Sequence, residues 1–139
     1  MKYWIPVAVV VVALVVAGCG SGSPEESWTY VGTWVNSAYN GHGGGPPGKF
    51  VATTDSLAFY TNDTDTTPVT TSSFALAEDW TSGGAHYFKG TDAAGPGSSR
   101  FLLMRVSGNN NTLEANTSGK AYPASIDPSI GGYGIFTRQ

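Results

Sequence analysis

The chain has 139 residues, with seven Lys and Arg, ten Asp and Glu, and a formal net charge of −3, a length suited to one domain. It has no basic cluster or stripe, which argues against nucleic-acid binding, because that needs a positive footprint. Charged residues make up 12% of the chain against 19 glycines, and Ser, Thr and Asn are plentiful, as in an exported β-protein with a neutral polar surface. The lone cysteine rules out an intramolecular disulfide.

Residues 1–18 do not read as part of a fold. Lys2 supplies a positive start, and Ile5 to Val16 is an apolar run broken only by Pro6. A helix needs about 20 apolar residues to cross a bilayer, so this run reads as the hydrophobic region of a signal peptide. Val16-Ala17-Gly18-Cys19 resembles the lipobox of bacterial lipoproteins, with small residues leading to the one cysteine. The resemblance implies cleavage before Cys19, a diacylglyceryl group on its thiol and an N-acyl group on the new amino terminus. Stable anchoring takes more than one acyl chain, and this modification supplies that. The expected location is the bacterial cell envelope, at the outer membrane or cell surface rather than the inner membrane. Residues 19–27 then form the lipidated cysteine and a tether of glycine, serine and paired acids (Glu25, Glu26) that resist packing.

From residue 28 to 139 the sequence predicts a β-domain. No stretch sustains helical apolar spacing. Short β-rich runs occur instead at Trp28 to Asn36, Lys49 to Thr54, Ser56 to Thr61, Pro68 to Ala77, Ala85 to Gly90, Arg100 to Ser107, Thr112 to Thr117 and Tyr133 to Arg138. Turn chemistry separates them: Asn62-Asp63-Thr64-Asp65, Thr81-Ser82-Gly83-Gly84, Ala93 to Gly97, and Gly108 to Asn111. Gly and Asn supply the positive φ that tight hairpins need. Ser118 to Gly132 is a longer link holding Pro123 and Pro128, with room for a short 3₁₀ turn. An open sheet of eight strands leaves two sticky edges. Closing it removes both and leaves an interior that fits side chains or one small ligand. The expected fold is therefore all-β, a small antiparallel up-and-down barrel of about eight strands.

Gly32-Thr33-Trp34 in the first of these runs resembles the Gly-x-Trp signature of lipocalins and related barrels. In that family the tryptophan plugs the closed end and an arginine of the last strand packs across it. The resemblance therefore implies a lipocalin-like barrel in which Arg138 serves as that arginine. No helix is expected between the last strand and Gln139, and the strands from Trp28 onward are expected to be shorter than a full lipocalin's.

Few residues offer chemistry. His42 and His86 are the only histidines and lack the ligand spacing of a zinc site, so no metal and no cofactor are expected beyond the acyl groups on Cys19. Asn62 to Thr67 alternates oxygen side chains but lacks the further ligands of a calcium loop and reads as a polar turn. Glu78 and Asp79 are adjacent, so on a strand they face opposite ways and make a poor acid–base pair across a sugar cleft. No nucleophile elbow is present. Ser82-Gly83-Gly84-Ala85-His86-Tyr87 loosely resembles the Ser-Gly-x-x-Tyr loop of bacterial barrel lipoproteins that inhibit lysozyme. The reading is a non-catalytic, monomeric, membrane-anchored binding module for a small apolar ligand or an envelope protein. Its mouth would form around the loop Ser37 to Gly48, with Tyr39, His42, Trp80 and Tyr87 as contact residues. An inhibitor acting through a loop, or a structural surface lipoprotein with a filled core, are the rival readings.

Overall fold

The computed structural model describes residues 29–36, 47–93, 99–107 and 109–139. The segments read as signal peptide and tether, the lipobox-like residues Val16, Ala17 and Gly18, Cys19, and Tyr39 and His42 lie outside the described residues. Eight strands follow one another: β1 (Gly32–Val35), β2 (Lys49–Ala52), β3 (Ser56–Tyr60), β4 (Thr70–Ser82), β5 (Ala85–Ala93), β6 (Ser99–Ser107), β7 (Thr112–Ser118) and β8 (Tyr133–Arg138). Each pairs antiparallel with its chain neighbour, and β1 pairs with β8, which closes the barrel. Among the described residues there is no helix.

Alternation sets which side chains enter the barrel. Trp34 lies opposite Phe50, Phe50 opposite Phe59, Met104 opposite Ala115, and Leu113 opposite Phe136. These inward rows meet in one core in which Trp34, Val106 and Leu113 are 0% exposed. Burying an aliphatic or aromatic side chain contributes about 1.5–3 kcal/mol. Edge-to-face packing adds order: Phe50 meets Phe136 at 4.8 Å, and Tyr30 meets both Phe74 at 5.2 Å and Phe88 at 5.0 Å.

The turns follow from residues that accept positive φ. Gly83 and Gly84 (φ 58° and 74°) join β4 to β5, with Ser82 opposite Ala85. Asn109 and Asn110 (φ 58° and 64°) turn β6 into β7. Two consecutive positive φ values match the right-handed twist of the flanking strands.

The structure departs from the sequence-based expectation in several places. β1 spans only Gly32–Val35, and β5 runs on to Ala93 instead of ending at Gly90. The fourth strand runs on to Ser82 instead of ending at Ala77, because β5 pairs with it along that length apart from one bulge between Leu76 and Glu78. The 119–132 link holds turns and bends rather than a 3₁₀ helix. It is fastened from outside: the Asn116 amide donates to Asp127 O (3.1 Å) and accepts from Asp127 N (2.8 Å). Asp127 also caps Ser129 through its carboxylate, accepting from Ser129 N and Oγ at 2.8 and 2.6 Å. Tyr122 packs edge-on against Phe101 at 5.0 Å and lies under the Lys89 ammonium at 5.1 Å. This cover explains why Leu102, Leu103 and Met104 are all buried although neighbours on a strand face opposite ways. Leu103 faces outward between Lys89 and Asn116, the two residues tied to the link.

Asn116 is 0% exposed, so Asn116→Ala strands the Asp127 amide and carbonyl beside an apolar wall. Urea unfolding should show a loss of about 1–3 kcal/mol, and Tyr122 should become more accessible to iodination. A variant as stable as the parent would mean that the link is not held by this clamp.

Candidate functional site

In an up-and-down meander the connections alternate between the two ends. One end gathers the start of β1, the β2–β3 turn, the β4–β5 and β6–β7 hairpins and the end of β8. Gly32, Trp34 and Arg138 come together there. The Arg138 guanidinium lies 4.2 Å from the Trp34 ring centroid. It donates to Val31 O (2.9 Å), Thr29 O (2.7 Å), Asn110 O (2.7 Å) and Asn110 Oδ1 (2.9 Å). Trp34 Nε1 donates to Tyr30 O at 2.6 Å. Gly32 has φ 144°, and a Cβ there would sit 2.5 Å from Arg138 Nη1, so only glycine admits the guanidinium. Burial lowers the Arg138 pKa from its ordinary value, and the carbonyls and the indole face compensate the charge without a carboxylate. The cluster closes this end of the barrel. Arg138→Met keeps the aliphatic stem but leaves three carbonyls without their donor. A loss of about 2–4 kcal/mol is expected, read as a lower urea midpoint with the slope unchanged; an unshifted midpoint would show that Trp34 alone closes this end.

The polar turn after β3 is organised by a cation that belongs to the chain. Lys49 Nζ donates to Asp63 O (2.8 Å) and Asp65 O (2.6 Å) and lies 4.5 Å from the Tyr60 ring centroid. Asp65 accepts from the Asn62 backbone N–H at 2.9 Å. The ammonium thus fastens the backbone of this turn to β2. Among the described residues no three His, Cys, Asp or Glu side chains gather in metal-binding geometry.

Toward the other end, the interior holds an ion pair that sequence reading missed. Asp92 is 0% exposed, while the Arg100 side chain is 42% exposed. Arg100 Nε and Nη2 bond Asp92 Oδ1 and Oδ2 at 2.9 and 2.6 Å, and Ser72 Oγ donates to Asp92 Oδ2 at 3.3 Å. Arg100 also lies 5.1 Å from the Phe59 ring centroid. Asp92 alternates with Phe88 and Gly90 on the inward face of β5, so register alone carries it inside. The expected run ends at Gly90, so nothing in the sequence places Asp92 on a strand; pairing with β6 extends β5 to Ala93 and carries it inside.

The expectation that Trp80 and Tyr87 share a mouth with the connection after β1 is corrected by the topology. β1 leaves the barrel at Val35, at the end opposite to the β4–β5 hairpin. Trp80 and Tyr87 are cross-strand partners near that hairpin, stacked at 5.2 Å with rings 6° from parallel. The bulge at Ala77 moves them outside: before it Phe74 faces inward, and after it Trp80 pairs with outward-facing Tyr87. The charges around them are paired. Lys89 Nζ bonds Glu78 at 3.0 Å, and His86 Nε2 meets Asp79 Oδ2 at 2.9 Å while His86 Nδ1 meets Thr81 Oγ1 at 3.2 Å. Further along the same outer face Glu114 takes a short two-pronged contact from Arg105 and a 2.9 Å bond from Tyr133 Oη. The Glu114 contact raises the Arg105 pKa and keeps the guanidinium charged. Glu78 and Asp79 serve opposite faces of the strand and are not a dyad.

Two tyrosines give this architecture an alkaline limit. Burial raises the Tyr30 pKa, with Asp55 adding to it, and burial followed by Glu114 raises that of Tyr133. Both phenols stay neutral in the fold at pH values where the unfolded chain ionises, near pH 10. Their contribution to stability is complete below about pH 10 and is lost as pH climbs through the raised folded values. Absorbance at the tyrosinate band should therefore show a late component that merges with the rest in urea; a single ionisation near pH 10 in the native protein would contradict it.

No protein-family model, curated protein or solved structure matches the chain in comparison.

Proposed function

We propose that this chain is a lipid-anchored lipoprotein of the bacterial envelope whose lipocalin-like barrel binds a protein partner on its outer wall and catalyses nothing. One observation carries the reading. The barrel interior is filled by large side chains, while the β4 segment Ala75–Ser82 is exposed along its whole length. Leu76 and Trp80 there are 44% and 37% exposed. Apolar side chains on a strand at the rim of a rigid barrel fit a recognition surface better than a reaction centre. The lipobox-like Val16-Ala17-Gly18-Cys19 and the tether after it support a position where such a surface meets other envelope proteins.

A second reading has its own support. Phe59 faces inward yet is only half-buried, beneath partly exposed Arg100. That arrangement suits a small, largely apolar ligand at the end of the barrel away from Trp34.

One experiment addresses both. The full-length chain and its Cys19→Ser variant are expressed in the cells of origin with a benzophenone amino acid at Ser82. The parent should partition into membranes and give a discrete cross-linked product, and the variant should appear in the soluble fraction. No cross-link, together with a small molecule retained by the purified protein in native mass spectrometry, would replace the partner-binding reading with the ligand reading. Membrane partition and acyl mass in the Cys19→Ser variant would remove the anchor.

A further inference from the structure

Resting on that reading, we infer how the outer wall binds: the lower half of β4 is an open sheet edge that accepts an extended, basic segment of a different protein as an added strand. β3 is too short to cover β4. Its last partner on β4 is Ser73, opposite Ser56, and Phe74 N then donates to Asp55 O at 2.7 Å. Beyond Phe74, among the described residues, β4 pairs only with β5. The eight residues Ala75–Ser82 therefore present about 26 Å of edge at the usual rise per residue. Residues two apart on a strand direct their amides to the same side, so the Leu76 N–H points to the open edge as the Phe74 N–H points to Asp55.

Natural edges are blunted by charges and bulges, and this one has both, which decides what it can accept. A second copy pairing antiparallel by the same edge must oppose residues of one face, so a register centred on Glu78 or on Asp79 sets that carboxylate against its own copy. Like charges directly opposite are destabilising, so the edge discriminates against itself. The same carboxylates favour a strand carrying Lys or Arg at that level; their side chains remain 59% and 54% exposed although each already has a partner in Lys89 or His86. The bulge at Ala77 places Leu76 and Trp80 on opposite faces of the sheet, so an added strand meets an apolar neighbour on each side. Main-chain bonds would supply affinity and these side chains specificity.

The test uses the full-length chain in the cells of origin, cross-linked from a benzophenone at Ser82, with three backgrounds: parent, Leu76→Pro, and Glu78→Lys with Asp79→Lys. Proline is tolerated on an edge whose N–H faces outward and removes that donor together with the leucine. Thermal melts establish that each variant folds. The parent cross-link, sequenced by tandem mass spectrometry, should map to a segment containing Lys or Arg. Its yield should fall about tenfold, the equivalent of 1.4 kcal/mol, in both variants. Full yield from folded Leu76→Pro would overturn edge pairing while leaving the partner-binding reading intact. If Leu76→Pro does not fold, the charge reversal decides, and full yield from it overturns the proposal. A cross-link to a second copy would overturn the choice of occupant. No cross-link from the parent would remove both the edge proposal and the reading beneath it.

Discussion

Eight strands make a ring only if the last can be joined to the first, and here that seam is short: Trp34 opposite Arg138 and Val35 opposite Thr137. So brief a ladder contributes little by itself. The Arg138 side chain makes up the deficit by gathering the carbonyls of Thr29, Val31 and Asn110 under one guanidinium laid on the Trp34 face. It thereby ties the segment before β1 and the β6–β7 hairpin to the end of β8. Gly32 leaves the space, and Asn110 takes the positive φ that brings its carbonyl and amide oxygens within reach. The rest of the barrel inherits its closure from this cluster, because without it β1 and β8 would be two more edges.

The short strands have a second consequence. β1 and β2 span four residues each and β3 five, whereas β4 spans thirteen. Such unequal neighbours cannot pair along their whole length, so closure at one level leaves an overhang at another. Tyr30 and Phe74 fill the inside of the barrel at that level, with the Tyr30 hydroxyl donating to Thr54 O at 3.2 Å. The overhang is thus backed by rigid packing. Gly90, opposite Leu76, lies directly under the Phe74 ring, where a Cβ would come within 2.5 Å of it. An edge held on a firm sheet loses little entropy on pairing, which separates it from a mobile loop as a recognition surface.

Much of this was legible along the chain. Strand positions followed from alternation and from punctuation: β6, β7 and β8 fall within a residue of their expected bounds, and Gly83-Gly84 announced a hairpin because only glycine accepts two positive φ values so easily. Gly32, Trp34 and Arg138 could be singled out by resemblance before their meeting was visible. Other features had no sequence marker. Residues 78–82, beyond the expected end at Ala77, carry two acids and little apolar periodicity, and they remain in β4 because β5 holds them. The bulge at Ala77 has no residue to advertise it, yet it decides the face on which Trp80 sits. Asp92 looks like any surface acid until register carries it inside against Arg100.

The sequence by itself determined the all-β class, the number and order of strands and the tight turns, since these depend on side-chain period and local φ preference. It also carried the lipobox-like segment, whose reading rests on residues near the start of the chain. Only the tertiary structure decided which end each hairpin occupies, which acid is buried and which strand runs past its neighbour among the described residues. Those outcomes depend on how many residues each neighbour can pair and where one bulge shifts the register, and both are properties of the closed ring rather than of any stretch of chain.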